Sequence, residues 1–354
     1  MLTLLFGCVI IVPDSIAEQR ELRSNAKEGA EAEKMIAWEK KESRCLSTLG
    51  CHERTLGEIL GLCRKYGIGK LEIRGIGGEL DNRRIPELGD AEIAETAAKM
   101  ADAGVSPYII GTSCKYDTDE TAAKSFAEGI FSLDAAKKLG CFGIRIFGNK
   151  IIGDTSSAAA RLSRGIADLC AYAADNSVLV LLETHGDFTS PATLAPIAER
   201  VGNLPNFGLI WDIAHTNVPN SGNWISFYNE FGPLIRHVHI KDSADGKLCL
   251  PGCGRLPIDE ICSHMLQDGF NGAFSLEWER KWHPELPPVE SAIEKLMNQP
   301  QREPVPAMTP ACPQSPEGAN HEKKSVQLNP RRRDYHSGSS SVVVRRQRRS
   351  GRVV

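Results

Sequence analysis

Residues 235–279 read IRHVHIKDSADGKLCLPGCGRLPIDEICSHMLQDGFNGAFSLEWE, and their pattern decides the fold. The stretch opens on the β-rich run IRHVHIKD (235–242) and passes through an amphipathic helical pattern, IDEICSHMLQDG. It closes on a second β-rich run, AFSLEWE (273–279). A short apolar strand, a helix ending at glycine and another strand describe a parallel pair joined by a crossover helix. Working back towards the N-terminus, further strand candidates stand at 44–50 (RCLSTLG), 70–75 (KLEIRG), 106–113 (SPYIIGTS), 143–148 (GIRIFG), 178–184 (VLVLLET) and 207–213 (FGLIWDI). Helical patterns separate most of them: TLGEILGLCRKYG, EIAETAAKMADAG, TAAKSFAEGIFSLDAAKKLG and AAARLSRGIADLCAYAADN. The segment after 213 reads as a loop followed by a short helix. Successive strands start 26 to 38 residues apart. Eight such units predict an α/β fold, a closed (β/α)8 TIM barrel, over 43–297. No dinucleotide-binding fingerprint follows the first strand and no Walker sequence occurs.

The flanks differ in character. Residues 1–42 form an N-terminal extension expected to be helical or disordered. Its apolar start, MLTLLFGCVIIVP, is too short to span a bilayer and lacks the flanks of a signal peptide. Residues 298–354 are rich in Pro, Ser and Arg, without apolar periodicity, and are expected to be a disordered basic tail. The tail holds 11 Lys/Arg against 4 Asp/Glu, a net +7 in a chain of –3, which leaves –10 on residues 1–297. An acidic body argues against broad nucleic-acid binding, except through the basic tail. The 11 cysteines are odd in number and scattered through apolar runs, which points to reduced, buried thiols and a cytoplasmic location rather than a disulfide framework.

Chemistry gathers at the ends of the late strands. In a barrel of this kind the C-terminal strand ends form the active site. Here they read LLETH, LIWDIAH, RHVHIKD and SLEWE. Period-two alternation puts Glu183, Asp212, His239 and Glu277 each on one face of its strand. Glu183 follows five aliphatic residues and Glu277 sits between Leu276 and Trp278. A buried carboxylate in such a place needs a cation or strong donors, and four successive strands sharing the need point to one shared metal. Three carboxylates and an imidazole suit one divalent ion: Mn2+, Co2+, Mg2+ or Zn2+. Such a centre fits a sugar, whose neighbouring carbonyl and hydroxyl oxygens can chelate the ion and acidify the C–H between them.

These stretches, with KLEIRGIGGELD (70–81), LLETHGDF, WDIAH and SLEWERKWHPELP, resemble the sugar phosphate isomerase/epimerase family of the xylose-isomerase-like TIM-barrel superfamily over roughly residues 43–296. The resemblance implies the same ligand set: Glu183, Asp212, His239 and Glu277. It also implies that Glu183 and Glu277 are the catalytic acid/base pair, and that His215, in the W-D-x-x-H pattern, contacts substrate. Further substrate-binding candidates are His185, Lys241, Arg74, Lys115 and His52. Lys241 has an alternative reading as a salt bridge to Asp242. Glu279 is expected to pair with Arg280, Lys281 or Arg74. The loop CLPGCGRLP is similar to a family glycine-rich turn, with Cys253 where an acidic or polar residue is common.

The expected activity is a metal-dependent isomerase or epimerase of a small sugar, sugar phosphate or cyclitol, passing a proton through a metal-stabilised enediolate. A small-molecule carbohydrate is the expected partner, with no membrane, and a homo-oligomer is compatible with the reading. The alternatives are a cyclitol-type dehydratase on the same metal site, an apurinic endonuclease-like nuclease and a non-catalytic sugar-binding barrel. The nuclease would need more ligands than nine histidines, few of them near the late strand ends, offer to a three-metal cluster.

Overall fold

A computed structural model describes residues 38, 41–175 and 177–297. The expected basic tail, and most of the expected N-terminal extension, lie outside the described residues.

Eight parallel strands close a barrel in chain order: β1 (Arg44–Ser47), β2 (Lys70–Ile73), β3 (Ser106–Gly111), β4 (Gly143–Phe147), β5 (Leu179–Glu183), β6 (Phe207–Asp212), β7 (Ile235–Ile240) and β8 (Ala273–Leu276). Strand β8 returns to β1 with Arg44 opposite Phe274 and Leu46 opposite Leu276. Each strand falls within the β-rich run that predicts it. The connections hold α1 (Leu56–Tyr66), α2 (Ile93–Asp102), α3 (Asp119–Leu139), α4 (Thr155–Tyr172), α5 (Pro191–Val201), α6 (Ile213–Asn217), α7 (Trp224–Phe231) and α8 (Ile258–Gln267), and α9 (Val289–Met297) follows the last strand.

Local chemistry sets the helix limits. Thr55 and Glu58 form a reciprocal capping box that starts α1, and Gly67 ends it in the left-handed region at φ +62°. Alternate strand residues divide the apolar side chains into two groups. Leu46, Leu71, Ile73, Ile110, Ile144, Ile146, Val180, Leu182, Leu209, Trp211, Val238, Ile240, Phe274 and Leu276 belong to the large core shared with the helices. Ile109, Leu181 and Ile210 form a separate cluster, and this alternation places them inside the barrel. At the N-terminal end of the barrel the Trp38 indole N–H donates to the Phe274 carbonyl at 2.9 Å.

The inside is not uniformly apolar. Glu72, Arg145, Glu183, Asp212, His237, His239, Lys241, Ser275 and Glu277 are all buried. They lie at the inward register of their strands, or just beyond the strand ends. Burying so many charged groups is tolerated only when they compensate one another. Their arrangement is therefore the first thing to explain about the site.

Candidate metal centre

Each residue of the centre is delivered by the end of a different strand. Glu183 is the last residue of β5 and Asp212 the last of β6. His239 stands one residue before the end of β7, and Glu277 follows β8 directly. Asp212 also caps α6: one oxygen, Oδ1, accepts the backbone N–H groups of Ala214 and His215, both at 2.9 Å. That leaves Oδ2 facing the barrel axis. His239 Nδ1 lies 3.3 Å from Glu183 Oε1, 3.4 Å from Glu277 Oε2 and 4.0 Å from Asp212 Oδ2. One ligand atom from each of the four residues falls within 4.8 Å of the other three.

Glu183 Oε1, Asp212 Oδ2 and His239 Nδ1 are buried and have no hydrogen-bond partner. Buried polar atoms are seldom left that way. Three of them converging on one point is the arrangement a cation would complete, and the donor set fits a divalent ion with oxygen and imidazole preference. The residues expected from the strand-end pattern are thus brought together.

Lys241, two residues beyond His239, reaches into the same cluster. Its ammonium is 2.7 Å from Asp212 Oδ2 and 2.6 Å from Glu277 Oε2, and it also contacts Glu279 Oε1. Asp212 Oδ2 therefore has this ion pair but no hydrogen bond of the usual geometry. The alternative reading of Lys241 as the partner of Asp242 is not what forms. Asp242 turns to the other side and its carboxylate accepts the backbone N–H groups of Ser243, Gly252, Gly254 and Leu256. This pins the glycine-rich turn, and a Cβ at Gly254 would lie 2.0 Å from Asp242 Oδ1. Glu279 likewise pairs inward, with Lys241 and with His215 Nε2 at 3.8 Å, rather than with Arg280, Lys281 or Arg74.

His215 completes this side. Its Nδ1 is 3.5 Å from Asp212 Oδ2 and 3.2 Å from the Thr184 carbonyl, and its Nε2 is 3.4 Å from the Lys241 ammonium. The His185 ring meets the His215 ring edge-on at 4.8 Å. Arg74 is buried across the mouth, bonded to the Leu80 carbonyl and Ser113 Oγ. Its side chain lies over Gly111, where a Cβ would meet Arg74 Cδ at 2.7 Å. Lys115 and His52 stand apart from the four-residue cluster. Lys115 is exposed and 4.0 Å from Asp117, and His52 pairs with Glu53 at 3.4 Å.

Two features of the centre are absent from the sequence-derived set. Arg145, inside β4, places Nη1 3.3 Å from Glu183 Oε2. Glu72, inside β2, sits 3.0 Å from both His237 Nε2 and His239 Nε2. Each is a charged residue flanked by aliphatic strand residues, Ile144 and Ile146 or Leu71 and Ile73. That is the same signal that marks Glu277.

The electrostatics follow from these neighbours. Burial alone would raise the Glu183 carboxyl, but the Arg145 guanidinium and then His239 hold it down at about 2. Burial likewise opposes ionisation of Glu277, and His239 and Lys241 outweigh it and keep the carboxyl well below its usual range. Lys241 shows the converse. Desolvation disfavours the ammonium, yet Asp212, Glu277 and Glu279 raise its pKa well above the ordinary value. Burial and the nearby Arg145 lower Arg74 to about 10, and burial lowers His185.

Residues 60–299 match the sequence profile of the xylose isomerase-like TIM barrel family. The chain belongs to that family. The xylose isomerase-like barrel here is 25% identical, over 159 residues, to a Streptomyces coelicolor protein provisionally named a hydroxypyruvate isomerase; the match covers 41% of this chain and 56% of that protein. The chain thus spans little more than half the length of that relative. Among solved structures, the IolI protein with a bound zinc atom superposes with a TM-score of 0.60 at 20% identity, covering 72% of this chain and 95% of that one. The Escherichia coli 3-keto-D-glucoside 4-epimerase superposes with a TM-score of 0.57 at 17% identity, covering 72% and 97%. At these identities the superpositions establish the shared barrel. No helix among the described residues is long and apolar enough to cross a membrane.

Proposed function

We propose that this barrel is a metal-dependent isomerase or epimerase of a small sugar, sugar phosphate or cyclitol derivative. The observation that carries the reading is the convergence of Glu183, Asp212, His239 and Glu277, with three of their buried ligand atoms lacking any hydrogen-bond partner. The isomerase and epimerase names of the relatives support the same class. The zinc in the IolI barrel supports an ion here.

These four residues would hold one divalent ion, which when bound supplies Lewis acidity towards the substrate's carbonyl and adjacent hydroxyl oxygens. The remaining work falls to the chain. A carboxylate takes the proton from the C–H beside the carbonyl, leaving an enediolate. A carboxylate then returns a proton, to the neighbouring carbon for isomerisation, with the hydroxyl proton passing from one oxygen to the other, or to the opposite face for epimerisation. Glu183 and Glu277 fill these roles, and their surroundings differ in a way that separates them. Glu183 faces the guanidinium of Arg145, a charge that is always present, and so is ionised before the substrate's proton is taken. Glu277 faces Lys241, whose ammonium is also shared with Asp212 and Glu279 and sits on a flexible stem. Lys241 and His215 would supply hydrogen-bond donors to the oxygen on which negative charge develops.

Two measurements test the reading. Protein purified without added metal should carry about one divalent ion per chain. Several ions per chain would overturn the reading in favour of a nuclease-type cluster. In D2O, a panel of ketoses, aldoses and inososes should include a compound that takes up deuterium beside its carbonyl as it is converted. Loss of water from the substrate would instead make the protein a dehydratase, and tight binding without exchange would make it a sugar-binding barrel.

A further inference from the structure

Below the four-residue cluster the barrel holds a second polar layer that the proposed reaction leaves unused. Glu72 is completely buried. It rises from β2 and crosses the interior to β7, three places away round the barrel. A single oxygen, Oε2, lies 3.0 Å from His237 Nε2 and 3.0 Å from His239 Nε2. Its other oxygen and His237 Nδ1 are buried without partners.

The two nitrogens of His239 therefore face different neighbours. Nε2 meets Glu72, and Nδ1 meets Glu183, Asp212 and Glu277. A carboxylate can only accept, so the hydrogen bond to Glu72 requires a proton on Nε2. With that proton fixed, the Nδ1 lone pair is the one available to an ion. His237, two residues back on the same strand face, donates to the same oxygen and keeps the carboxylate from turning away.

We infer that Glu72 is a positioning residue for the metal centre. It holds His239 in the Nε2–H tautomer, with Nδ1 directed at the ion, and it is itself held by His237. This rests on the proposed metal-dependent function. The physical basis is general: a carboxylate behind a ligating imidazole fixes its tautomer and orientation and raises its basicity, and losing it typically costs 10–100-fold in metal affinity. An alternative use of the same residues would be to hold a second ion among Glu72, His237 and His239.

The test compares the wild-type protein with Glu72→Gln by calorimetric titration of zinc into apo-protein, and by melting with and without zinc. A glutamine amide can donate to Nε2 and so favour the opposite tautomer. The expected result is one zinc per chain in both proteins, with affinity about 10–100-fold weaker in E72Q. Whatever the difference between the two apo-proteins, the rise in melting temperature on adding zinc should be smaller in E72Q, a split that a merely structural role would not produce. Equal zinc affinity would overturn the inference while leaving the metal site intact. Absence of zinc binding in the wild type would overturn both. Two zinc ions in the wild type and one in E72Q would replace the positioning role with the second site.

If E72Q does not fold, nitrogen-15 histidine spectra of the zinc-loaded wild type decide. His239 should show a protonated Nε2 and a metal-bound Nδ1. The reverse assignment, or metal at both nitrogens, would overturn the inference.

Discussion

Replacing Lys241 with methionine tests whether the ammonium stands in for positive charge that the centre needs. Lys241 is 2.7 Å from Asp212 and 2.6 Å from Glu277, and it also contacts Glu279. Asp212 and Glu277 are buried to within a few per cent of complete exclusion. Methionine keeps much of the stem's volume but leaves these carboxylates facing one another without the cation. Removing one partner of a buried charge pair costs about 3–5 kcal/mol. Protonation of a carboxylate limits the cost to that range. In a domain of this size each kcal/mol moves the melting temperature by about 2–4 °C. K241M should thus melt roughly 6–20 °C below the wild type in EDTA. Saturating Mn2+ or Zn2+ places two positive charges among the same oxygens and should close most of that gap. Thermal unfolding followed by circular dichroism, at one scan rate for all four samples, reads both quantities. A K241M melting point within about 2 °C of wild type in EDTA, or a large gap that metal leaves unchanged, would refute the argument.

Further outcomes follow from the same geometry. Glu277→Gln should lower kcat by at least about 100-fold at saturating metal, measured as solvent-deuterium incorporation into the converted sugar; undiminished exchange would remove Glu277 from the proton-transfer role. Glu183 is held at about 2 against an ordinary 4.5, so its ionised form stabilises the fold above about pH 4.5 and the contribution is lost as pH falls from there towards 2. In EDTA, the stability of E183Q should accordingly depend less steeply on pH over that window than the wild type's, as read from urea unfolding at a series of pH values. Gly186→Ala should destabilise by about 2 kcal/mol or more, because Gly186 has φ +62° and a Cβ there would lie 2.2 Å from the Asn149 carbonyl oxygen. Denaturant midpoints measure this change, and KM should rise as His185 shifts against His215.

The barrel was legible because its strands are buried on both faces. Such strands read as short, almost continuous apolar runs, and each observed strand lies inside the run assigned to it. The helices were less complete. Pro191–Val201 forms α5 with Pro196 inside it, and an internal proline masks a helical pattern that its Ser190 and Pro191 start supports. The four candidate ligands were legible because a carboxylate or imidazole at an apolar strand end has few inexpensive explanations. Pairings were the weak part. Reading Lys241 with Asp242 treats sequence neighbours as spatial neighbours, but near a strand end consecutive side chains point to opposite faces. Lys241 therefore follows His239 to the mouth while Asp242 turns away to fasten the Gly252–Gly254 turn. Glu279 belongs inside by the same period from Glu277. Glu72 and Arg145 carry the isolated-charge signal as plainly as Glu277 does. What no local pattern encodes is the partner: Glu72 meets imidazoles 165 and 167 positions away, and only closure of the barrel brings β2 within reach of β7. Period two can nominate a buried charge, whereas topology decides what neutralises it, and in this barrel the neutralising partners distinguish a ligand from the residue that orients it.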